Sequence, residues 1–264
     1  ETAFYTQFSP TSIAGCCLWL DGADQTNFTF SSGSNINNWT DKSGNSNTFT
    51  TSQGTVTYSN KSAYFNGSSM MTNTSQTGFA LGSSVSMIRF VVFNTTSVAT
   101  AGAIFSYGNN TVGAVIYVDT DSNVYGTSYS GVFSIKNPIS INTNYLVSDF
   151  YSNNGTPSNY THYGWLNGTP YSTNGTTSTT LTINPSNPAY VGGAIGNISP
   201  FNGYIYEIIY YNKALTTTER QSVESYLAAK WGLTSALPNF SNPLSISGCQ
   251  LWICLLYTSD AADE

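Results

Sequence analysis

The sequence contains few charged residues. They make up 8% of the chain, with 7 Lys and Arg against 13 Asp and Glu, and the formal net charge is −6. Proteins that bind the phosphates of nucleic acids use clustered lysines and arginines, and no such cluster occurs here. We therefore expect no nucleic-acid partner.

Long apolar runs are also absent. A membrane-spanning helix needs about 20 consecutive, mostly apolar residues. The longest candidate, residues 85–93, is interrupted by Ser86 and Arg89. We therefore expect no membrane span in this segment.

Cysteine is scarce, with four in the chain. Two of them, Cys16 and Cys17, are adjacent near the start, and a bond between neighbours on an extended strand would be strained. The sequence therefore predicts no disulfide framework. We expect Cys16 to be a small buried apolar residue.

One segment of the chain occurs twice. The sequence SIAGCCLWL at residues 12–20 returns as SISGCQLWI at residues 245–253. This return indicates one module of a tandem array followed by the first strand of the next unit. Residues 254–264 do not continue the repeat and resemble a translated sequencing adapter. Because the chain opens on Glu1 rather than Met, we also expect upstream sequence to be missing.

The remaining length predicts a single domain. Roughly 225 residues suffice for one all-β domain and are too few for two ordinary ones. The predicted divisions are a linker or the end of a preceding unit at 1–11, the domain at 12–233, a linker at 234–243, the first strand of a second repeat at 244–253 and an adapter artefact at 254–264.

Strand-like runs continue along most of the domain. Short stretches rich in Val, Ile, Tyr, Phe and Thr alternate with Asn-Gly and Gly-Ser turns, a pattern typical of an antiparallel sandwich or barrel. Strands are predicted near residues 16–20, 55–58, 62–66, 86–93, 102–106, 112–118, 123–127, 131–135, 145–151, 160–166, 179–183, 189–192 and 203–211.

One helix is predicted after these strands. Residues 216–219 read TTTE, which is a capping box, and Gly232 supplies a left-handed stop. The helix should therefore run from Thr217 to Trp231 and pack against the end of the sandwich. Its apolar stripe consists of Val223, Tyr226, Leu227 and Trp231.

Four motifs stand in order along the domain. They are LWLDGAD at residues 18–24, NWTDKSGN at 38–45, FNGYIYEIIYYNKAL at 201–215 and KWG at 230–232. Together they resemble the laminin G-like group of the concanavalin A-like lectin and glucanase superfamily. The resemblance implies an all-β jelly-roll sandwich of two antiparallel sheets with one C-terminal helix. It also implies an extracellular binding module for glycans or protein partners.

The same resemblance raises the question of catalysis, because the superfamily includes glucanases. Retaining glycoside cleavage needs two carboxylates about 5 Å apart, and the glucanase members supply them from one strand as Glu-x-Asp-x-x-Glu. Glu207 has no such acidic neighbour along its strand, so we expect it to be a structural acceptor. His162 has no partner at metal-ligand or triad spacing and is predicted to be an ordinary strand residue. We therefore predict no catalytic residues and no enzyme.

Calcium is the one ion that the sequence leaves open. The motif DTDSN at residues 119–123 opens like an EF-hand loop, but Val124 and Ser130 replace the required Gly and Glu. This motif therefore predicts a hairpin turn. Some laminin G-like domains bind calcium at one rim, although their ligands cannot be assigned here. We expect no cofactor and no metal ligands, with calcium as the alternative at three loop carboxylates, Asp21, Asp24 and Asp41.

Aromatic residues supply the candidate ligand contacts. They make up 14% of the chain and include 19 tyrosines. Sugar-binding sites commonly place an aromatic face against the sugar ring. Tyr163 and Trp165 share one strand parity, as do Tyr204 and Tyr206, so either pair could line one sheet face. The alternative is that aromatic residues fill the core, as expected for Trp19 and Trp39.

These features favour a non-catalytic, carbohydrate-binding module, one unit of a tandem array in a surface or adhesion protein. The expected location is extracellular or on a virion surface. The expected partners are a glycan or glycoprotein and the neighbouring repeats. Two alternatives are a structural repeat of a virion fibre or coat, and a degenerate glycoside hydrolase.

Overall fold

The computed structural model describes residues 8–79, 86–108, 113–128, 134–153, 160–171, 175–177, 187–195 and 199–238. Within these residues the chain is an all-β sandwich of antiparallel strands with one α-helix near its C-terminal end, which confirms the predicted fold class. The predicted strand at 179–183, the predicted second repeat at 244–253 and the predicted adapter segment lie outside the described residues.

The elements follow one another with short connections. The strands are β1 (Cys16–Asp21), β2 (Phe28–Ser32), β3 (Asn35–Trp39), β4 (Phe49–Gln53), β5 (Thr57–Ser59), β6 (Ser62–Asn66), β7 (Met70–Asn73), β8 (Met87–Thr95), β9 (Gly102–Gly108), β10 (Gly113–Val118), β11 (Asn123–Ser128), β12 (Ser134–Pro138), β13 (Asn144–Asn153), β14 (Tyr160–Leu166), β15 (Thr169–Pro170), β16 (Gly175–Thr177), β17 (Ala189–Val191) and β18 (Asn202–Tyr211); the helix is α1 (Thr217–Trp231).

The strand pairings define two sheets. The first, which we call the helix-side sheet, runs β1–β18–β8–β13–β14, and β14 also pairs with β15 and β16. The second, the far sheet, runs β12–β11–β10–β9–β17–β7–β4–β3–β2. Strands β6 and β5 join the two, because β6 pairs with β18 and β5 pairs with both β6 and β3.

Strand β8 shows how the layers are filled. Its residues alternate between the two faces of the sheet. Val91 and Phe93 point into the main core, which also contains Phe105 of the far sheet. Phe90 and Val92 point the other way, into a second core beneath α1. Because both faces are buried, β8 is an almost continuous apolar run.

Helix α1 has the predicted bounds. Thr216 Oγ1 accepts from the Glu219 backbone N–H at 3.2 Å, and Glu219 Oε2 accepts from the Thr216 N–H at 2.7 Å. Gly232 ends the helix in the left-handed region, with φ of 72°. The fully buried stripe residues Val223 and Leu227 lie across β8, β13 and β18. The helix therefore covers a sheet face, and the prediction that it packs against the end of the sandwich was wrong.

The helix is 15 residues long. In the described part of the chain, none of the helices combines the length and apolar character needed to cross a membrane.

Strand β1 forms an edge of the helix-side sheet, and a loop caps its outer side. Asp41 Oδ1 accepts from the Trp19 backbone N–H at 2.8 Å, and the Lys42 N–H donates to the Trp19 carbonyl at 2.8 Å. Asn47 Nδ2 donates to the Cys17 carbonyl at 2.7 Å. The loop at residues 41–47 thus takes the place of a further strand and covers an edge that could otherwise pair with another chain.

A register shift in β1 changes which cysteine is buried. The pairing with β18 is irregular between Cys16 and Leu18. Cys17 is therefore the buried residue, with 3% exposure, whereas Cys16 is half-buried. The prediction that Cys16 is the buried member was wrong by one position.

Candidate functional site

Tyr163 and Trp165 lie on the outer face of the helix-side sheet, as their shared parity predicted. In the β13–β14 register, Phe150 is opposite Tyr163 and Ser148 is opposite Trp165. His162, which precedes Tyr163 in sequence, points to the opposite face, into the sandwich interior. The sheet thus brings three aromatic rings together beside the first turn of α1.

These rings line a pocket of about 190 Å³, which we call the aromatic pocket. The Phe150 and Tyr163 rings are 6.0 Å apart between centroids, with an interplanar angle of 18°, and the Tyr163 and Trp165 rings are 6.3 Å apart at 27°. The described lining residues are Ile88, Phe150, Tyr163, Trp165, Leu215, Thr217 and Arg220. An aromatic wall with a few polar groups is typical of small-molecule sites.

Arg220 is the polar group held most firmly in this pocket. Its guanidinium carbon lies 4.3 Å from the centroid of the Trp165 ring. Its Nη1 donates to both carboxylate oxygens of Glu224, at 2.5 and 2.6 Å. Ser148 Oγ donates to Glu224 Oε1 at 2.7 Å. Stacking on one side and an ion pair on the other fix the guanidinium.

Glu224 is almost completely buried, with 3% exposure. Burial raises the pKa of its carboxyl above the ordinary value, although Arg220 and Ser148 act in the opposite direction. Neither Arg220 nor Glu224 was predicted as a site residue. Both belong to α1, and Arg220 reaches the pocket only because the helix crosses the sheet face.

The second candidate pair lies elsewhere. Tyr204 and Tyr206 belong to a row of half-buried rings, which we call the tyrosine row, at the other end of α1. Tyr204 is 4.8 Å from Tyr64 and 6.3 Å from Tyr206 between ring centroids, and Tyr206 is 5.1 Å from Trp231. Both candidate pairs thus share the outer sheet face, but α1 separates them. The described residues of the tyrosine row do not line the aromatic pocket.

Glu207 accepts four hydrogen bonds beneath the helix. The donors are Trp19 Nε1 at 2.7 Å, Tyr226 Oη at 2.9 Å, Trp231 Nε1 at 2.7 Å and Lys230 Nζ at 2.8 Å. Its exposure is 0%, and burial raises the pKa of its carboxyl. The structure therefore confirms that Glu207 is a structural acceptor. Trp19, expected in the core, is half-buried against the second core beneath α1, whereas Trp39 is fully buried in the main core.

A second carboxylate lies beside Glu207. Asp21 faces Glu207 in the β1–β18 register, and Lys230 Nζ bonds Asp21 Oδ1 at 2.6 Å as well as Glu207 Oε2 at 2.8 Å. The prediction for Glu207 rested on neighbours along one strand, and this pair across two strands was not predicted. Both acids are bound to the same ammonium, and neither lines the aromatic pocket.

The sandwich interior contains a further charged group. Asp149 Oδ2 accepts from Arg89 Nε at 3.1 Å and also from its Nη2, while Asp149 Oδ1 bonds His162 Nε2 at 2.6 Å. All three residues are at most 1% exposed. His162 is therefore more than an ordinary strand residue, since it is one member of a buried ionic cluster. Gly126 leaves room for it, because a Cβ at this position would collide with Asp149 and His162.

The carboxylates considered for calcium already have cationic or hydrogen-bonding partners. Lys42 Nζ lies 3.0 Å from both Asp21 and Asp24, so an ammonium occupies the place where a cation would bind. Asp121 accepts from Tyr125 Oη at 2.6 Å and from Lys136 Nζ at 3.3 Å. Within the described residues, no three acidic, His or Cys side chains are grouped as metal ligands. This donor set does not fit calcium.

No protein-family model matches the chain, and no curated protein matches it. Solved structures do match. The binding domain of botulinum neurotoxin serotype G is similar, with a TM-score of 0.59 and 14% identity over 81% of this chain and 51% of that one. A structure of botulinum neurotoxin type C, described as depending on two ganglioside molecules for cell entry, has a TM-score of 0.57 and 15% identity over the same shares.

A sialidase of Trypanosoma rangeli in complex with the inhibitor DANA is also similar. Its TM-score is 0.57 at 14% identity, and the match covers 87% of this chain and 36% of that one. The chain thus spans about a third of the sialidase and about half of the toxin structures. These likenesses show a β-rich, lectin-like fold. They contradict the prediction that the chain is not an enzyme, because sialidases are enzymes and are among the similar structures.

Proposed function

We propose that this chain is a carbohydrate-binding module of the laminin G-like, concanavalin A-like type and that it binds glycans at the aromatic pocket. The observation that carries the proposal is the wall of three near-parallel rings, Phe150, Tyr163 and Trp165, beside a fixed guanidinium. A pyranose ring has one face of C–H groups that can pack on an aromatic wall, while its hydroxyl groups accept hydrogen bonds from N–H donors.

The comparisons support the ligand class. The type C toxin is described as interacting with gangliosides, which are glycolipids, and the lectin-like fold is shared with this chain. The sequence motifs support the finer family assignment. The tyrosine row is the second place where the outer face offers aromatic surface.

The returning segment at residues 245–253 supports a tandem array. We propose that the module works outside the cell or on a virion surface, with neighbouring repeats and a glycan or glycoprotein as partners. Several weak sites on one chain would bind a glycan-coated surface by avidity when the linkers allow simultaneous contact.

The test is a glycan array probed with the full chain, once with calcium and once with a chelator. We expect selective binding in both conditions. Tyr163→Ala should lower the affinity for the best glycan by about tenfold or more, because Tyr163 lies between the other two rings and truncation of a central aromatic contact typically costs about 2 kcal/mol.

Tyr204→Ala is the matched control, because it removes a half-buried ring from the same sheet face at the other end of α1. It should leave the affinity within about twofold, and thermal unfolding should show that both variants are folded. Absence of glycan binding in both conditions would overturn the proposal and favour a structural repeat. Loss of binding in Tyr204→Ala alone would move the site to the tyrosine row.

A further inference from the structure

Arg220 is the one charged residue among the described residues that line the aromatic pocket. An unpaired arginine in such a place would attract carboxylate-bearing sugars, because a guanidinium matches the geometry of a carboxylate. Arg220 is not unpaired. Its side chain is 12% exposed and its Nη1 bonds both oxygens of Glu224.

Glu224 cannot easily leave this pair. Its side chain is 4% exposed, and it also accepts from Ser148 Oγ at 2.7 Å. A sugar carboxylate that approached Arg220 would compete with a carboxylate already bound there, and it would meet the negative charge of Glu224 at short range. Like charges at such distances cost free energy even where solvent screens them partly.

The ion pair with Glu224 leaves some hydrogen-bond donors of Arg220 available. A guanidinium carries five N–H donors, and the bonds to Glu224 use those on Nη1 alone. The remaining donors are suited to the neutral hydroxyl groups of a sugar stacked on the aromatic wall. A neutral glycan therefore gains a hydrogen-bond donor in the pocket without having to displace Glu224.

We propose that the aromatic pocket selects uncharged sugars over acidic ones. Glu224 sets this selectivity because its ion pair with Arg220 compensates the positive charge of the guanidinium. This inference rests on the proposed function. Glu224 is a specificity-determining residue that acts through Arg220 and has no contact of its own with the sugar.

The experiment compares matched glycan pairs on the array: galactose-terminated glycans against the same glycans capped with sialic acid, and glucose oligomers against glucuronic acid counterparts. We expect the wild type to bind the neutral member of its best pair about tenfold more tightly. Glu224→Gln keeps the side-chain shape and an acceptor for Ser148 but removes the charge. It should shift the neutral-to-acidic affinity ratio about tenfold toward the acidic member.

Glu219→Gln is the control for overall charge. It removes one carboxylate from the same helix, and Gln serves as well as Glu in a capping box, but Glu219 contacts Lys213 and Thr216 outside the pocket. It should leave the ratio unchanged. A second measurement needs no variant: the affinity of the wild type for the neutral glycan should change little between low and physiological ionic strength.

The outcomes are distinguishable. No binding to either class overturns the proposed function. Tighter binding of acidic members by the wild type, or equal ratios for Glu224→Gln and Glu219→Gln, overturns the selectivity proposal and leaves glycan binding intact. A steep loss of affinity with added salt in the wild type would also contradict it.

Discussion

At the scale of single residues, Asp41 determines whether the β1 edge is closed. Its Oδ1 accepts from the backbone N–H groups of Trp19 at 2.8 Å and Ser43 at 2.7 Å, and its Oδ2 accepts from the Asn47 N–H at 3.1 Å. This one carboxylate therefore satisfies three backbone donors that the loop and the strand would otherwise leave unpaired.

We expect Asp41→Ala to lower the free energy of unfolding by about 3 kcal/mol, because it leaves several backbone N–H donors without an acceptor and opens the sheet edge. Urea denaturation measures this directly. Asp41→Asn keeps one acceptor oxygen and should lose about half as much. A loss below about 0.5 kcal/mol in Asp41→Ala would show that the loop does not depend on this side chain.

Asp149 makes stability depend on acid pH. Burial opposes its ionisation, but Arg89 and His162 outweigh burial and hold its pKa below the ordinary value of 3.8. The unfolded chain then binds a proton at higher pH than the folded chain does. The stabilisation is therefore complete above pH 3.8 and is lost as the pH falls through the folded-state pKa.

Thermal unfolding of wild type and Asp149→Asn between pH 2 and pH 5 tests this. We expect the variant to be less stable by about 3 to 5 kcal/mol at pH 5, because it leaves Arg89 buried without a charged partner. Its melting temperature should also fall less steeply with acid. It should not become flat, since Asp24 and Glu219 also have lowered pKa values. If the melting temperatures of the two proteins fell equally steeply with acid, the pH dependence could not be assigned to Asp149.

At the scale of elements, α1 connects the fold to the site. Its first turn carries Thr217 and Arg220, which line the aromatic pocket, whereas its last turn ends at Gly232, beyond the tyrosine row. The two ends can therefore be weakened separately. Thr216→Ala removes the N-cap and Gly232→Ala strains the left-handed C-cap, and each should cost about 1 kcal/mol of stability.

Their effects on glycan binding should differ. Thr216→Ala loosens the turn that positions Arg220, so we expect affinity to fall about threefold. Gly232→Ala should leave affinity within error, because its added Cβ would meet no atom within 4 Å and lies at the far helix end. Titration calorimetry on both variants checks this. Equal effects would mean that the first turn does not shape the pocket.

The elements also show what sequence could predict. The bounds of α1 followed from local signals, namely the capping box and Gly232. Strands β2, β3, β4 and β7 were missed, because runs such as NINNW at residues 35–39 have the composition of a loop and become strands only through their partners. Each strand here is stabilised by the neighbouring strand more than by its own propensity.

The candidate site also has features that the sequence could predict and features that it could not. The shared face of Tyr163 and Trp165 followed from the two-residue period of a strand. The contact of Arg220 with Trp165 could not be predicted, because it depends on where α1 crosses the sheet. The pairing of Asp21 with Glu207 depends likewise on the register of two strands that lie far apart in sequence.

At the scale of the whole molecule, the outer face of the helix-side sheet is one surface divided by α1. The aromatic pocket lies on one side and the tyrosine row on the other. The chain continues after the helix with Leu237 packed on the second core, so the first residues of the predicted linker at 234–243 lie against the module. The tandem arrangement and the surface location remain predictions.

The most direct test of glycan binding at the aromatic pocket is a crystal structure of the chain with the best glycan from the array. We predict a sugar ring packed on Phe150 and Tyr163, with a hydroxyl group accepting a hydrogen bond from Arg220. A sugar seated on the tyrosine row, or on the far sheet, with the aromatic pocket unchanged would contradict it.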